Sequence, residues 1–374
     1  MNSQNNGRLA RFRQALSGKP YDTFMVLVGE NRSYLSGFTG EDTQFDESAG
    51  VLFITGDRAI LATDSRYDAQ AAREAAGFEI VQYKEGLSKE IPRLLKSLGT
   101  RALGFEAVRL TCLQFDKIRA ALRAEGLEGI GLVAEESLVE SFRICKAPEE
   151  LSAIRRALEI AEAVFEDLAP TLRPGMTERA VAWEMEKRLR EAGAEALSFP
   201  CIVASGPNSA LPHAIPGDRK LQAGEPILFD WGVRVDGYCS DISRMVYLGT
   251  PDETYRKVYQ TVLDAQRLAT EAVRPGIGSK AVDQAARDYI AKKGYAGKFG
   301  HGLGHGVGLA IHESPRLSPL RDTPLAPGMV FTVEPGIYLT EWGGVRLENM
   351  AVVTDTGVEV LNRTDPADRM VIEV

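Results

Sequence analysis

Four acidic residues and a tight group of histidines are the part of this sequence that could do chemistry. Asp230 closes the apolar run LQAGEPILFD and Glu334 closes LAPGMVFTVE, each standing where an apolar residue would be expected. A second acid follows each one shortly afterwards, Asp241 in GYCSDISR and Glu348 in GVRLEN. An unpaired charge inside a protein is strongly unfavourable, so acids in such strand patterns need a cationic partner. No comparable set of basic residues stands beside them. The chain has only four histidines; His301, His305 and His312 fall within the stretch FGHGLGHGVGLAIHE, and His213 is the fourth. The glycines of that stretch are too dense for a helix interior, where each costs about 1 kcal/mol relative to alanine. They mark close backbone approach instead. Four carboxylates and an imidazole form a hard to borderline ligand set, suited to manganese, cobalt, zinc or ferrous iron. Two divalent cations would balance the four carboxylates, whereas one would leave excess negative charge buried. Two metals about 3.5 to 4 Å apart can share a water, lower its pKa and polarise a carbonyl, so metal-assisted hydrolysis is expected.

The elements that must position these residues come as a repeat. Pro148 starts a helix in which Leu151, Ile154, Leu158, Ala161, Phe165 and Leu168 recur at helical spacing. An Arg-Pro-Gly break at 173–175 ends it, Thr177 can cap a successor with Glu178 in its first turn, and Gly193 can close that. A helix through Val258, Val262 and Ala265 ends in the same break at 274–276, with Ser279 as the cap and Gly294 as the close. Both the breaks and the closing glycines stand 101 residues apart. LQAGEPILFD then aligns without gaps to LAPGMVFTVE at an offset of 104, which superposes Asp230 on Glu334. Helix, turn, helix and strands spoken twice favour a duplicated, pseudo-twofold domain.

At 374 residues two domains are expected, and the texture changes near residue 140. Before it, TFMVLVG, AGVLFITG, AILATDS and RALGFEA alternate with amphipathic stretches, including a helix near Arg66 to Ala76, and read as α/β with a mixed sheet. TGDR reads as a hairpin turn with Gly56 at positive φ. Neither GxGxxG nor a P-loop occurs there, and this part reads as a scaffold or oligomerisation domain. A net charge of -8 argues against nucleic-acid or anionic-membrane partners. The polar opening MNSQNNGRLARFRQAL lacks the apolar core of a signal peptide, so a soluble cytoplasmic protein is expected. Cys112, Cys145, Cys201 and Cys239 form no CxxC pair and are read as reduced and mostly buried.

Together these features resemble the pita-bread metallopeptidases, the family of methionine aminopeptidase, aminopeptidase P and prolidase, in their proline-directed branch. SGPNSALPHAIP, DWGVRVDGYCSDISR, GHGLGHGVGLAIHE, VEPGIY and VRLEN carry the resemblance, while NRSYLSGFTG and LATDSRYDAQA resemble a creatinase-type N-terminal domain. The resemblance implies a creatinase-like α/β domain over 1–140 and a pseudo-twofold pita-bread catalytic domain over 141–374. It also implies that Asp230 chelates one metal, that His305 and Glu334 hold the other, and that Asp241 and Glu348 bridge both. Glu334 would then be the general base, with His213 and His312 flanking the scissile region. His301, Tyr338 and Arg346 match positions that support the substrate or the ligands. Ala310 stands where an acid is more usual, and EDTQFDESAG varies in the family.

The implied cofactors are two divalent ions, manganese foremost. The implied partners are peptides with proline at the second position and a second copy of the chain. The leading expectation is an Xaa-Pro aminopeptidase, with a prolidase as the alternative. A prolidase needs a cation for the dipeptide carboxylate, and Arg316, four residues after His312, is available. A creatinase-like amidinohydrolase and a non-enzymatic binding protein would be expected to lack ligands that are all present here.

Overall fold

The computed structural model describes residues 2–42, 44, 47–366 and 370–373, so Thr43, Phe45 and Asp46 of the variable stretch lie outside the described residues. The chain divides into two compact units, 1–143 and 144–374.

The first unit runs α1 (Asn2–Leu16), β1 (Thr23–Val26), α2 (Gly29–Ser36), β2 (Val51–Ile54), β3 (Ala59–Thr63) and α3 (Asp68–Glu74). It continues with β4 (Glu79–Gln82), α4 (Leu87–Leu98), β5 (Ala102–Glu106), α5 (Cys112–Ala124), β6 (Gly131–Glu135) and α6 (Glu140–Arg143). Its sheet has the order β4-β3-β2-β1-β5-β6, with β2 antiparallel to both neighbours, which is the mixed sheet expected. The β2–β3 turn differs in detail: Gly56 is not among the glycines at positive φ. Thr55 holds the turn instead, its hydroxyl donating to Asp57 and accepting from the Arg58 amide at 2.9 Å.

The second unit opens with α7 (Pro148–Leu168), α8 (Glu178–Glu191), β7 (Ala196–Leu197), β8 (Ile202–Ser205), β9 (Pro226–Trp231) and β10 (Val233–Val235). Then come β11 (Tyr238–Cys239), β12 (Ile242–Leu248), α9 (Glu253–Ala272), α10 (Ser279–Ile290), β13 (Gly304–Gly306) and β14 (Glu313–Leu317). β15 (Val330–Val333), β16 (Gly336–Leu339), β17 (Gly343–Arg346), β18 (Asn349–Val353), β19 (Val358–Val360) and β20 (Met370–Ile372) complete it. Two sheets carry the acids: β20-β12-β9-β8 and β14-β13-β15-β18-β19.

The repeat is visible in the backbone. Gly175 and Gly276, Gly193 and Gly294, and Gly224 and Gly328 all take positive φ at the matched offsets. Gly175 N donates to Leu221 O at 2.9 Å, and Gly276 N donates to Leu325 O at 2.7 Å. Thr177 caps α8 as expected, accepting from Ala180 N at 3.1 Å. Ser279 does not cap α10; it is the first helical residue, and its hydroxyl accepts from Thr323 N at 3.0 Å. Asp322 Oδ1 takes over the orphan amide of Lys280 at 3.1 Å, a cap supplied from 42 residues away that no local pattern announces.

Strand alternation decides which way the acids face. β9 sends Ile227, Phe229 and Trp231 into the core formed with α7 and α8, and Leu228 to the core of α9 and α10. Burying each large side chain contributes about 1.5–3 kcal/mol. Asp230 therefore shares a face with Leu228, and by the same period Thr332 and Glu334 oppose Phe331 and Val333. Of the cysteines, Cys201 and Cys239 are buried but Cys112 and Cys145 are exposed. The expectation of mostly buried thiols fails because Cys112 opens α5, of which only Ile118 and Leu122 are buried.

Candidate metal centre

The two sheets bring the sequence-predicted acids to one place. Ligand atoms of Asp241, His305 and Glu348, all buried, lie within 4.8 Å of one another. His305 Nε2 stands 3.4 Å from Asp241 Oδ2 and 3.4 Å from Glu334 Oε1. Its Nδ1 faces the Gly306 carbonyl at 3.1 Å, and since a carbonyl only accepts, Nδ1 carries the proton and Nε2 presents its lone pair to the acids. The glycines flanking His305 have the reason anticipated. A Cβ on Gly304 would lie 1.9 Å from Thr332 O, and one on Gly306 would lie 2.2 Å from Ser314 O.

Arg346 ties the acids together from behind. It donates to Asp230 Oδ2 at 2.5 Å, to Tyr338 Oη at 3.0 Å, to Pro212 O at 3.2 Å and to Ser243 Oγ at 2.9 Å. Ser243 lies opposite Asp230 in the β9–β12 pair and donates onward to Glu348 Oε2 at 2.8 Å. The Tyr338 hydroxyl donates to His301 Nε2 at 2.8 Å, because His301 Nδ1 is committed to the Gly302 carbonyl. Thr332 Oγ1 accepts from His305 N and donates to Glu334 Oε1, both at 3.1 Å.

Ser243 and Thr332 were not singled out from the sequence. Their signal was present: each lies two residues from an acid, Asp241 or Glu334, the spacing that places side chains on one face of an extended chain.

The electrostatics fit a cation. Burial, then the neighbouring carboxylates, push Asp241 and Glu348 well above the ordinary carboxylate range. Burial likewise pushes Glu334 up to about 8, against the opposing pull of Arg346. Asp230 Oδ1 is buried with no hydrogen-bond partner among the described residues. Acids that cannot all ionise together, one with an orphaned oxygen, beside a neutral imidazole that burial holds down to about 3, are what divalent ions would satisfy.

The remaining candidates surround this cluster. His312 packs edge-on against His305, ring centroids 4.2 Å apart, and is exposed. Lys146 Nζ meets the carboxylate of the next residue, Glu313, at 2.5 Å. His213 is exposed in the loop after β8, near enough for its charge to bear on His301 and His312. Arg316 lies opposite His305 in the β13–β14 pair. Among the described residues its guanidinium has no hydrogen-bond or ion-pair partner.

A buried acid and imidazole cluster between the halves of a duplicated α/β domain is a donor set that fits divalent metal ions. Residues 152–355 match metallopeptidase family M24, and residues 8–145 match the creatinase/prolidase N-terminal domain. The chain belongs to metallopeptidase family M24, and is a peptidase of pita-bread fold whose family works with divalent metal ions. It is 36% identical to an Xaa-Pro dipeptidase of Pyrococcus furiosus over 96% of this chain and 98% of that one. The structure is similar to an Xaa-Pro dipeptidase from Bacillus anthracis, with TM-score 0.90, 37% identity, and 99% of this chain and 100% of that chain covered. It is also similar to an X-Pro aminopeptidase from Thermotoga maritima, with TM-score 0.85, 34% identity, and 97% and 100% covered. Xaa-Pro dipeptidases and prolidases recur among the relatives, so the comparisons favour the prolidase alternative over the aminopeptidase expected first. No helix among the described residues is long and apolar enough to cross a membrane.

Proposed function

We propose that this protein is an Xaa-Pro dipeptidase, hydrolysing the bond ahead of a C-terminal proline in dipeptides. The observation that carries the restriction to dipeptides is Arg316, whose guanidinium has no protein partner among the described residues and stands across from His305. A dipeptide laid at the cluster would place its carboxylate within reach of that fork of donors. Asp230, Asp241, His305, Glu334 and Glu348 are the residues that would hold two divalent ions, manganese by resemblance. Such ions supply Lewis acidity to a carbonyl and an activated water. Glu334 takes up the water's proton, with Thr332 holding its carboxylate in place. His213 and His312 flank the scissile bond and stabilise the developing oxyanion or the leaving proline nitrogen. Arg346 and Tyr338 keep Asp230 and His301 in place. The chemistry belongs to residues 141–374, and residues 1–140 serve a cytoplasmic homodimer. The experiment is hydrolysis of Met-Pro and Met-Pro-Gly by manganese-reconstituted protein, with Glu334→Ala as the control for contaminating peptidase. Cleavage of Met-Pro alone is expected. Cleavage of the tripeptide at least as fast would instead establish the Xaa-Pro aminopeptidase, the second reading, which the similarity to the Thermotoga maritima structure supports.

A further inference from the structure

His213 is carried by a loop whose shape is set at its base, along its outgoing arm and at its tip. The loop leaves β8 at Ser205 and is closed at its base by the first turn of α8, where Glu178 N donates to Arg219 O and Arg179 N donates to Gly217 O, both at 3.0 Å. The Glu178 side chain, fully buried, serves both arms of the loop at once. On the outgoing arm its carboxylate accepts from Ser205 N at 2.8 Å, Ser205 Oγ at 2.9 Å and Asn208 Nδ2 at 3.1 Å. On the returning arm it accepts from Gly217 N at 3.2 Å. At the tip, Arg346 donates to the carbonyl of Pro212, the residue before His213. Around the tip Leu211, His213 and Ile215 are exposed and Ala214 is buried, while on the outgoing arm the buried Ser209 accepts from Gly344 N at 2.8 Å. Packing of the tip's own exposed side chains does little to fix the imidazole, and the hydrogen bonds at the base, outgoing arm and tip must do so.

We infer that Glu178 is a positioning residue for His213: without touching substrate, its carboxylate sets where the imidazole stands over the scissile bond. The inference rests on the proposed role of His213, and the test separates the two. Glu178→Gln keeps the volume but turns one acceptor oxygen into a donor that confronts the Gly217 amide or the Asn208 side chain. Hydrolysis of Met-Pro is measured in manganese-loaded wild type, Glu178→Gln, His213→Ala and the double variant, together with manganese affinity by titration. A misplacement of about 1 Å can cost on the order of 100-fold in rate. Glu178→Gln is expected to lower kcat at least about 10-fold, with manganese affinity unchanged and no further loss once His213 is alanine. An unchanged kcat in Glu178→Gln, or an equal loss with and without the His213 imidazole, would overturn the inference, the second by showing damage that does not pass through His213. If His213→Ala alone keeps the wild-type rate, the role of His213 fails and this inference falls with it. Should Glu178→Gln not fold, Asn208→Ala at its half-buried position removes the two Asn208 bonds to the same carboxylate while leaving those from Ser205, and the same cycle decides the matter.

Discussion

Replacing Arg316 by methionine keeps the length of the aliphatic stem and removes the charge. Arg316 sits on β14 with its Cα paired to that of His305, and its charge adds to burial in lowering the pKa of both His305 and His312. The guanidinium has no hydrogen-bond or ion-pair partner among the described residues, so its removal should leave no buried acid stranded and little cost in stability. On the proposed reading, what is lost is the bond to a substrate carboxylate. A hydrogen bond to a charged group contributes about 1.5–3 kcal/mol, and at this exposed position about 2 kcal/mol is a fair value. That corresponds to roughly 30-fold in kcat/KM. The assay compares Met-Pro with its C-terminal amide, in wild type and in Arg316→Met. Wild type should prefer the acid, and the variant should lose about 30-fold on the acid while changing little on the amide. The loss should fall mainly in KM, because the carboxylate is bound equally in ground and transition states. An equal loss on acid and amide, or none on either, would refute the reasoning and place the carboxylate elsewhere.

Two further outcomes follow from buried polar groups. Ser243→Ala removes the hydroxyl between Arg346 and Glu348, and supporting contacts of this kind are worth about 10–100-fold in metal affinity. A manganese titration showing wild-type affinity in Ser243→Ala would contradict the arrangement. In the first unit, burial pushes Glu106 up to about 7, although Leu27 N, Val28 N and Asn31 Nδ2 each donate to it at 2.6 Å. A carboxyl whose folded pKa exceeds its unfolded value stabilises the fold fully below the unfolded pKa near 4.5, and that stability is lost as pH rises to about 7. Urea unfolding should therefore show this unit about 3 kcal/mol less stable at pH 8 than at pH 5 on account of this group. Glu106→Gln should flatten that dependence, and an unchanged pH profile in the variant would count against the buried acid as its source.

Much of the site was legible before any coordinates because its signals are local. Acids at the ends of apolar strands, a period of two and glycines at matched offsets are written within a few residues of one another, and the sheets turn them as that period requires. Other features join residues more than thirty positions apart and leave no local mark. Asp322 caps α10 from a distance, Glu178 closes the loop that carries His213, and Arg346 reaches Asp230 across 116 residues. The exposed Cys112 thiol likewise depends on which side of α5 is left uncovered.

The sequence by itself determined the duplicated architecture, the candidate ligand residues and the class of chemistry, because residue type and spacing along a strand or turn are sufficient for those. Only the tertiary structure decided which acid is held by Arg346, which hydroxyls support the candidate ligands and that Arg316 stands opposite His305 with no partner among the described residues. Those facts depend on how separate strands come together, and the register between strands is set by packing and pairing that no single stretch of chain contains.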